Sequence, residues 1–167
     1  ALTLIRFGRF DEVSALNRPT ARSRLDNVPL DVTSALWDFA FGYSQLRAGD
    51  IDSATTIVND LFETARVTES RFRFHRGGLI IGTVANILAG EIQRAQGNLG
   101  AAIETLLIAA GVEDQIGYDE PEPLPFAARH WLGAALMEAG RYMEAEETYR
   151  EELEDHPHNV WSLHGLI

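Results

Sequence analysis

The stretch of sequence that decides the fold is Phe126–Asn159, which reads FAARHWLGAALMEAGRYMEAEETYREELEDHPHN. At its centre, Gly140 is followed by a polar residue, a large apolar residue, two mostly polar residues and the small Ala145. Glycine adopts the left-handed backbone that ends a helix without a steric penalty, so the residue after it can open the next helix. Gly133, seven residues earlier, lets two helix axes approach closely because it has no side chain. This stretch therefore predicts two antiparallel helices that meet at Gly140.

The same string of residue types recurs along the chain. Its four copies begin 41 to 48 residues apart, and in three of them a second glycine precedes the turn glycine by seven residues, at positions 42, 90 and 133. Unequal spacing around one signature indicates a repeated helix–turn–helix unit with insertions of different lengths. The four strings are Gly8–Val13, Gly49–Ala54, Gly97–Ala102 and Gly140–Ala145.

The repeated unit resembles the tetratricopeptide repeat (TPR), a helix pair of about 34 residues. Thr83–Gly111 and Ala35–Val67 resemble it as well, and Leu2–Leu16 is similar to the end of an earlier repeat. One departure is Glu152, where the family prefers alanine, so we expect looser packing there. The overall pattern also resembles a group of bacterial TPR proteins with an acidic Tyr-Asp-Glu-Pro insertion, which implies a bacterial and cytoplasmic protein. The residues that carry the clearest resemblance are Leu132, Gly133, Gly140, Tyr142, Ala145, Tyr149 and Pro157.

The resemblance implies an all-α fold, namely an α-solenoid of stacked antiparallel helix pairs (a TPR-like superhelix) that forms one domain over residues 1–167. About three full repeats are expected between partial terminal ones. Because Ala1 is not a methionine and lies in an apolar run, we expect the chain to be a fragment of a longer protein. The expected repeats are 32–68, 70–111 and 125–157, with a partial repeat at 1–16 and a capping helix at 159–167.

Three insertions interrupt the repeats. We expect residues 67–82 to extend the first helix of the second repeat towards its N-terminus, with a break at Gly77-Gly78. Residues 112–125 combine three prolines with several acids, which favours an extended loop. A further loop at 17–31 leads into the next helix, which Asp31 or Thr33 would cap.

The composition excludes several classes of function. The formal net charge is −11, which argues against binding to nucleic acid or to an anionic membrane surface. All fourteen basic residues are arginine and the chain has no cysteine, which excludes lysine Schiff bases, phosphate-loop lysines and thiolate chemistry. The longest uncharged run, 77–90, is shorter than the roughly 20 residues that span a bilayer. Residues 111–155 carry thirteen acids and three arginines, which form either a solvated face or a surface for a basic partner.

The first helices of stacked pairs line a concave face in such repeats, and the resemblance places a groove there. The groove would be apolar and aromatic at one end, with charges deeper in, and would bind a peptide or a helix. Alternatively the chain fills its own groove, either with the proline-rich insertion or by packing of two copies. The candidate groove residues are Leu36, Phe39, Tyr43, Arg47, Val84, Ile87, Glu91, Arg94, Ala127, His130, Ala134, Met137 and Glu138.

A second candidate site is a cluster of positive charge. Arg71, Arg73 and Arg76 could hold a phosphate or a carboxylate, because arginine forks pair well with both. Alternatively these side chains pair with Glu63 and Glu69 or face solvent.

We expect no catalytic activity, no cofactor and no metal. His156 and His158 flank Pro157, which breaks the i, i+4 geometry of a helical metal site. The sequence contains no nucleophile elbow and no glycine-rich phosphate loop. The function we expect is a scaffold that binds a protein or peptide partner. The alternative is a structural module that joins copies of a larger protein into a homo-oligomer, with the activity elsewhere.

Overall fold

A computed structural model describes residues 1–19 and 30–167, and the regular secondary structure of these residues is helical apart from one small antiparallel hairpin. The all-α prediction is therefore confirmed. The hairpin strands are β1 (Arg71–Phe72) and β2 (His75–Arg76). The helices are α1 (Leu2–Arg6), α2 (Phe10–Val13), α3 (Leu30–Arg47), α4 (Ile51–Val67), α5 (Gly77–Ala95), α6 (Leu99–Glu113), α7 (Ala128–Glu138), α8 (Tyr142–Asp155) and α9 (Val160–Gly165).

The four turn glycines have the left-handed backbone that the sequence pattern predicts. Their φ angles are 68° at Gly8, 89° at Gly49, 78° at Gly97 and 73° at Gly140. In each turn the amide of the next residue donates to the carbonyl five residues earlier at 2.9 Å. Glycine avoids the Cβ penalty of this conformation, so the four turns share one geometry for one physical reason.

The second set of glycines marks the close helix crossings, as expected. A Cβ at Gly42 would lie 2.9 Å from Ile57 Cγ2, and a Cβ at Gly90 would lie 2.7 Å from Leu106 Cγ. A Cβ at Gly133 would overlap the ring of Tyr149. These distances are shorter than van der Waals contact, so the helix pairs α3–α4, α5–α6 and α7–α8 depend on residues without side chains.

Each long helix packs on the next one in the chain, and α3 also contacts α5 while α5 contacts α7. One apolar core runs through α1 to α7, and a second one joins α6, α7 and α8 around Leu106, Leu132 and Tyr149. The predicted C-terminal helix is present as α9, which packs on α7 and α8. None of the described helices is both long enough and apolar enough to cross a bilayer.

The helical extension expected at 67–82 is wrong. Helix α4 ends at Val67, β1 and β2 follow, and Arg73 at the hairpin turn has a φ of 58°. The glycine pair lies at the start of α5 and does not break a helix. A side chain does not fit at this point, because a Cβ at Gly77 would lie 2.7 Å from Ser70 O. A Cβ at Gly78 would lie equally close, at 2.7 Å, to Ala65 O. The pair thus allows the hairpin and the end of α4 to press against the start of α5.

The two remaining insertions have different outcomes. Residues 114–127 form turns and bends between α6 and α7, as the prolines predict. Most of the loop expected at 17–31 lies outside the described residues. Helix α3 begins at Leu30, so Asp31 and Thr33 lie within it and do not cap it. The Asp31 carboxylate instead accepts hydrogen bonds from the hydroxyls of Thr68 and Ser70 just after α4.

Candidate functional site

The aromatic end of the expected groove is not an open surface. Phe39, Tyr43 and Ile87 are buried in the core. The ring of Phe10, from α2, stacks on Tyr43 with 5.5 Å between centroids, and the ring of Phe126 lies 5.9 Å from Phe39. The chain therefore fills this part of the groove with its own N-terminal helix and with the end of the proline-rich insertion. The expectation that these side chains bind a peptide is wrong for a simple reason, namely that they have no exposed surface to offer.

The charged part of the groove is a hydrogen-bonded network. Tyr43 donates its hydroxyl hydrogen to Glu91 Oε2 at 2.7 Å and accepts from Trp131 Nε1 at 2.9 Å. Arg94 donates to Glu91 Oε1 at 2.8 Å and also pairs with Glu138. Burial, followed by the adjacent Glu91 carboxylate, raises the pKa of the Tyr43 hydroxyl above its ordinary value. The network joins α3, α5 and α7, so it fixes the helices relative to one another.

The other groove candidates are scattered. Arg47 is exposed, with its guanidinium 5.4 Å from the centroid of the Phe10 ring. Met137 is exposed at the far end of α7, whereas Leu36 and His130 are partly buried. Three further groove positions are filled by small or branched apolar residues, of which two are buried and one is partly buried. These are Val84, Ala127 and Ala134.

The arginine cluster is divided by the hairpin. Arg73 pairs with Asp119 Oδ1 at 2.7 Å and donates to two backbone carbonyls of the proline-rich insertion. Arg71 donates to Phe74 O within the hairpin, and Arg76 is exposed. The expected acid partners are wrong for Arg73, since Glu63 pairs with Arg66 instead. Of the three arginines that were expected to bind an anion, Arg73 therefore holds the proline-rich insertion in place.

Asp119 is the residue that receives this clamp, and sequence reasoning missed it. It is buried, and its second carboxylate oxygen lies 3.1 Å from Nε2 of the equally buried His75. Asp119 stands 44 residues from His75, so their meeting depends on how the hairpin and the insertion fold over α5.

The insertion covers a cavity of about 360 Å³ that we call the acidic pocket. Its walls come from the insertion, the C-terminal ends of α6 and α8, and the first turn of α7. The cations among its lining residues are Arg129 and the titratable His156. Its lining carboxylates are Glu113, Asp114, Asp119, Glu122, Glu152 and Asp155.

Glu152 is the buried acid of the acidic pocket, with 1% of its surface exposed. Its Oε1 atom lies 2.8 Å from His156 Nδ1 and 3.5 Å from His130 Nε2. The contact with His156 is an ion pair, and among the described residues Oε1 has no partner with full hydrogen-bond geometry. The sequence did flag this position as a departure from the TPR pattern. The glutamate is enclosed, with 1% of its surface exposed, and the expectation of looser packing against the following unit stays a prediction.

Glu113 and His156, which also line the acidic pocket, have shifted pKa values. Burial raises the pKa of the Glu113 carboxyl to about 8, although Ala128 N–H donates to it at 2.7 Å. Burial alone would lower the pKa of the His156 imidazole, but Glu152 and then Glu122 outweigh it and raise that pKa. His156 Nε2 lies 2.6 Å from Glu122 Oε1, so the histidine links α8 to the insertion.

Among the described residues, no group of three or more histidine, aspartate or glutamate side chains has the arrangement of a metal site. His158 and His164 are exposed and stand apart from the pocket lining. Comparison with family models, curated proteins and solved structures finds no match for the chain. The resemblance to the TPR family therefore rests on the repeat signature and stays a prediction.

Proposed function

We propose that the chain is a non-catalytic scaffold that binds a protein partner and is built as a TPR-like solenoid. Its four glycine turns share one geometry, which supports a repeated unit. The contacts of α3 with α5 and of α5 with α7 fit a row of first helices, with α4, α6 and α8 behind them. Scaffolds of this kind present surfaces to other proteins.

The binding surface we propose is the mouth of the acidic pocket, because the aromatic groove is filled. One observation carries this choice: a cavity of about 360 Å³ lies where the insertion crosses the ends of three helices. Pockets that hold small molecules have volumes of about 300–1,000 Å³, so this cavity is large enough to take a side chain of a partner. The excess of acids at 111–155 supports a partner with basic side chains.

The groups with raised pKa values have structural roles that support a non-catalytic function. Glu113 accepts the Ala128 N–H at the start of α7, where helix amides need an acceptor. His156 bridges Glu152 and Glu122 and so ties the insertion to α8.

A matched pair of triple variants tests this proposal. The rim variant carries Tyr118→Ser, Glu122→Gln and Asp155→Asn, which change exposed side chains around the pocket. The control carries Tyr142→Ser, Glu104→Gln and Glu147→Gln, which change exposed side chains elsewhere. Proteins that co-purify with each form would be quantified by mass spectrometry. We expect at least one partner whose recovery falls about tenfold with the rim variant alone. Identical recoveries from all three forms would contradict the proposal.

Self-association is the second candidate function, and the outer face of α6 favours it. Leu107 and Ile108 are 52% and 55% exposed, and Gly100 and Gly111 leave open space on the same helix. Light scattering after size exclusion, over a hundredfold range of concentration, would separate the candidates. A Leu107→Ser, Ile108→Ser variant should lower the measured mass if copies associate through α6. A wild-type mass that stays monomeric throughout would remove this candidate.

A further inference from the structure

We propose that the acidic pocket binds the cationic side chain of an arginine or lysine in a basic partner segment, with Glu152 as the carboxylate that receives it. This inference deepens the proposed scaffold function and rests on it. It names the chemistry of the partner group and the residue that recognises it.

Three of the six wall carboxylates of the pocket have a partner that the fold supplies. Asp119 is paired with Arg73 at 2.7 Å, and Asp114 accepts two hydrogen bonds from Arg129, at 2.6 and 3.0 Å. Glu113 accepts the Ala128 N–H, and with its raised pKa it is mainly protonated at neutral pH. These acids therefore contribute little free negative charge to the pocket.

The remaining acids outnumber the remaining cations. Glu152 and Glu122 share the single imidazole of His156, and Asp155 lines the pocket as an exposed carboxylate. The C-terminal ends of α6 and α8 add the negative partial charge of their terminal carbonyls. The opposing positive end of α7 is partly offset by Glu113, which caps the Ala128 amide. The pocket therefore carries more negative charge than its own cations balance.

Glu152 is the acid whose negative charge is least well balanced. Burying a carboxylate without a full set of partners costs free energy, since desolvation destabilises its charged form. Ala127 N–H lies 3.3 Å from His130 Nδ1 and donates to it, which leaves the ring proton of His130 on Nε2, at 3.5 Å from Glu152 Oε1. That distance falls short of good hydrogen-bond geometry, so the ion pair with His156 at 2.8 Å is left to balance this enclosed carboxylate, and a cation at the pocket wall would balance it further.

The apolar walls of the pocket fit the stem of a long basic side chain. Leu124 and Phe126 are buried against the core, and Ile116 and Pro123 are partly buried beside them. Arginine and lysine bury their methylene stems on apolar surface while the charged head seeks an acceptor. Tyr118, exposed and part of the same lining, offers an aromatic face to a guanidinium.

The test uses amide-blocked arginine, N-acetyl-L-arginine methylamide, titrated into the chain and followed by NMR. We expect saturable binding with a dissociation constant of about 1–10 mM, as befits a single side chain. The matched citrulline compound, which replaces the guanidinium by a neutral urea of similar shape, should not bind measurably. Equal binding of both compounds would show that charge is not what the pocket recognises and would overturn the inference.

Two variants locate the interaction. Glu152→Gln should weaken binding at least tenfold, whereas Glu147→Gln, on the exposed face of the same helix, should leave it unchanged. If Glu152→Gln does not fold, Asp155→Asn gives an independent test at an exposed lining residue and should weaken binding severalfold. Unchanged binding in the folded variant would overturn the assignment.

The pH dependence supplies a further readout. Raising the pH from 6 to 9 ionises Glu113, whose carboxyl has a pKa of about 8, and shifts His156, whose pKa is raised, towards its neutral form. Both changes add negative charge near Glu152, while arginine keeps its charge throughout. Binding of the blocked arginine should therefore tighten over this range, and weaker binding at pH 9 would count against the inference.

The outcomes also separate the inference from the function on which it rests. If the rim variant loses its partner but blocked arginine does not bind, the scaffold function stands and the cation inference falls. If n-butylguanidinium, which has one positive charge and no peptide groups, binds much more tightly than blocked arginine, the pocket is a small-molecule site and the peptide source is overturned.

Discussion

The chain contains two buried glutamates in very different surroundings. Glu91 is 6% exposed, and both of its carboxylate oxygens accept hydrogen bonds, from Tyr43 and from Arg94. Glu152 is 1% exposed, and its Oε1 lacks such a partner among the described residues. A carboxylate whose partners are all supplied by the fold acts as part of the scaffold. One whose partners are incomplete is ready to accept a donor from outside.

The largest expected effect comes from changing each glutamate to glutamine. Glu91→Gln leaves Arg94, which is partly buried, with the more exposed Glu138 as its remaining charged partner, and should lower the free energy of unfolding by about 2 kcal/mol. Glu152→Gln removes a charge that lacks a complete set of partners, and should change the stability by less than about 1 kcal/mol. Urea unfolding at pH 8 would measure both. Equal losses would mean that Glu152 is a structural residue like Glu91.

A loss of stability of similar size is expected when the pH is raised. The folded-state pKa of Glu113, about 8, lies above the ordinary value near 4.3, so the stabilising proton is present at low pH and is lost as the pH rises towards 8. The raised pKa of His156 acts in the same direction above about pH 6.5. The free energy of unfolding should therefore fall by about 2 kcal/mol between pH 6 and 9.

Glu113→Gln should remove most of that fall, because glutamine stays neutral at every pH. Glu104→Gln, on the exposed side of the same helix, is the matched control and should keep the wild-type profile. Urea unfolding at several pH values would decide it. A Glu113→Gln profile that still falls steeply would contradict a protonated Glu113 carboxyl.

The smallest effect concerns the clamp on the insertion that covers the acidic pocket. Arg73→Ala removes the ion pair with Asp119 and the donors to the insertion backbone, and should cost about 1 kcal/mol locally. Amide exchange at residues 114–127 should then quicken about fivefold. Arg76→Ala, at an exposed neighbour, should leave those rates unchanged. Equal rates in both variants would show that Arg73 does not hold the insertion.

Local rules predicted the turns and the helix crossings. The backbone at Gly49 and Gly97 and the close approach at Gly90 follow from residues a few positions apart, because the conformational freedom of glycine is a local property. The same rules misread Gly77-Gly78 as a break in a helix. A glycine pair also fits where a neighbouring backbone presses on a helix start, and that neighbour is set by the tertiary fold.

The candidate site was harder to predict because its contacts are distant in sequence. Tyr43 lies in the groove register, but Phe10 and Trp131 cover it from 33 and 88 residues away. The contact of Asp119 with His75 likewise joins residues that stand 44 positions apart. Glu152 was the one local signal, a charged residue where the repeat pattern expects alanine. Only its burial shows that it faces a pocket and not solvent.

The most direct test of the role of Glu152 follows both glutamates in one experiment. The chain would be labelled with ¹³C at the glutamate side-chain carboxyl, the two signals assigned through Glu91→Gln and Glu152→Gln, and blocked arginine titrated at pH 8. The Glu152 signal should shift in a saturable way while the Glu91 signal stays in place. A Glu152 signal that does not move, or that moves no more than Glu91, would contradict the account.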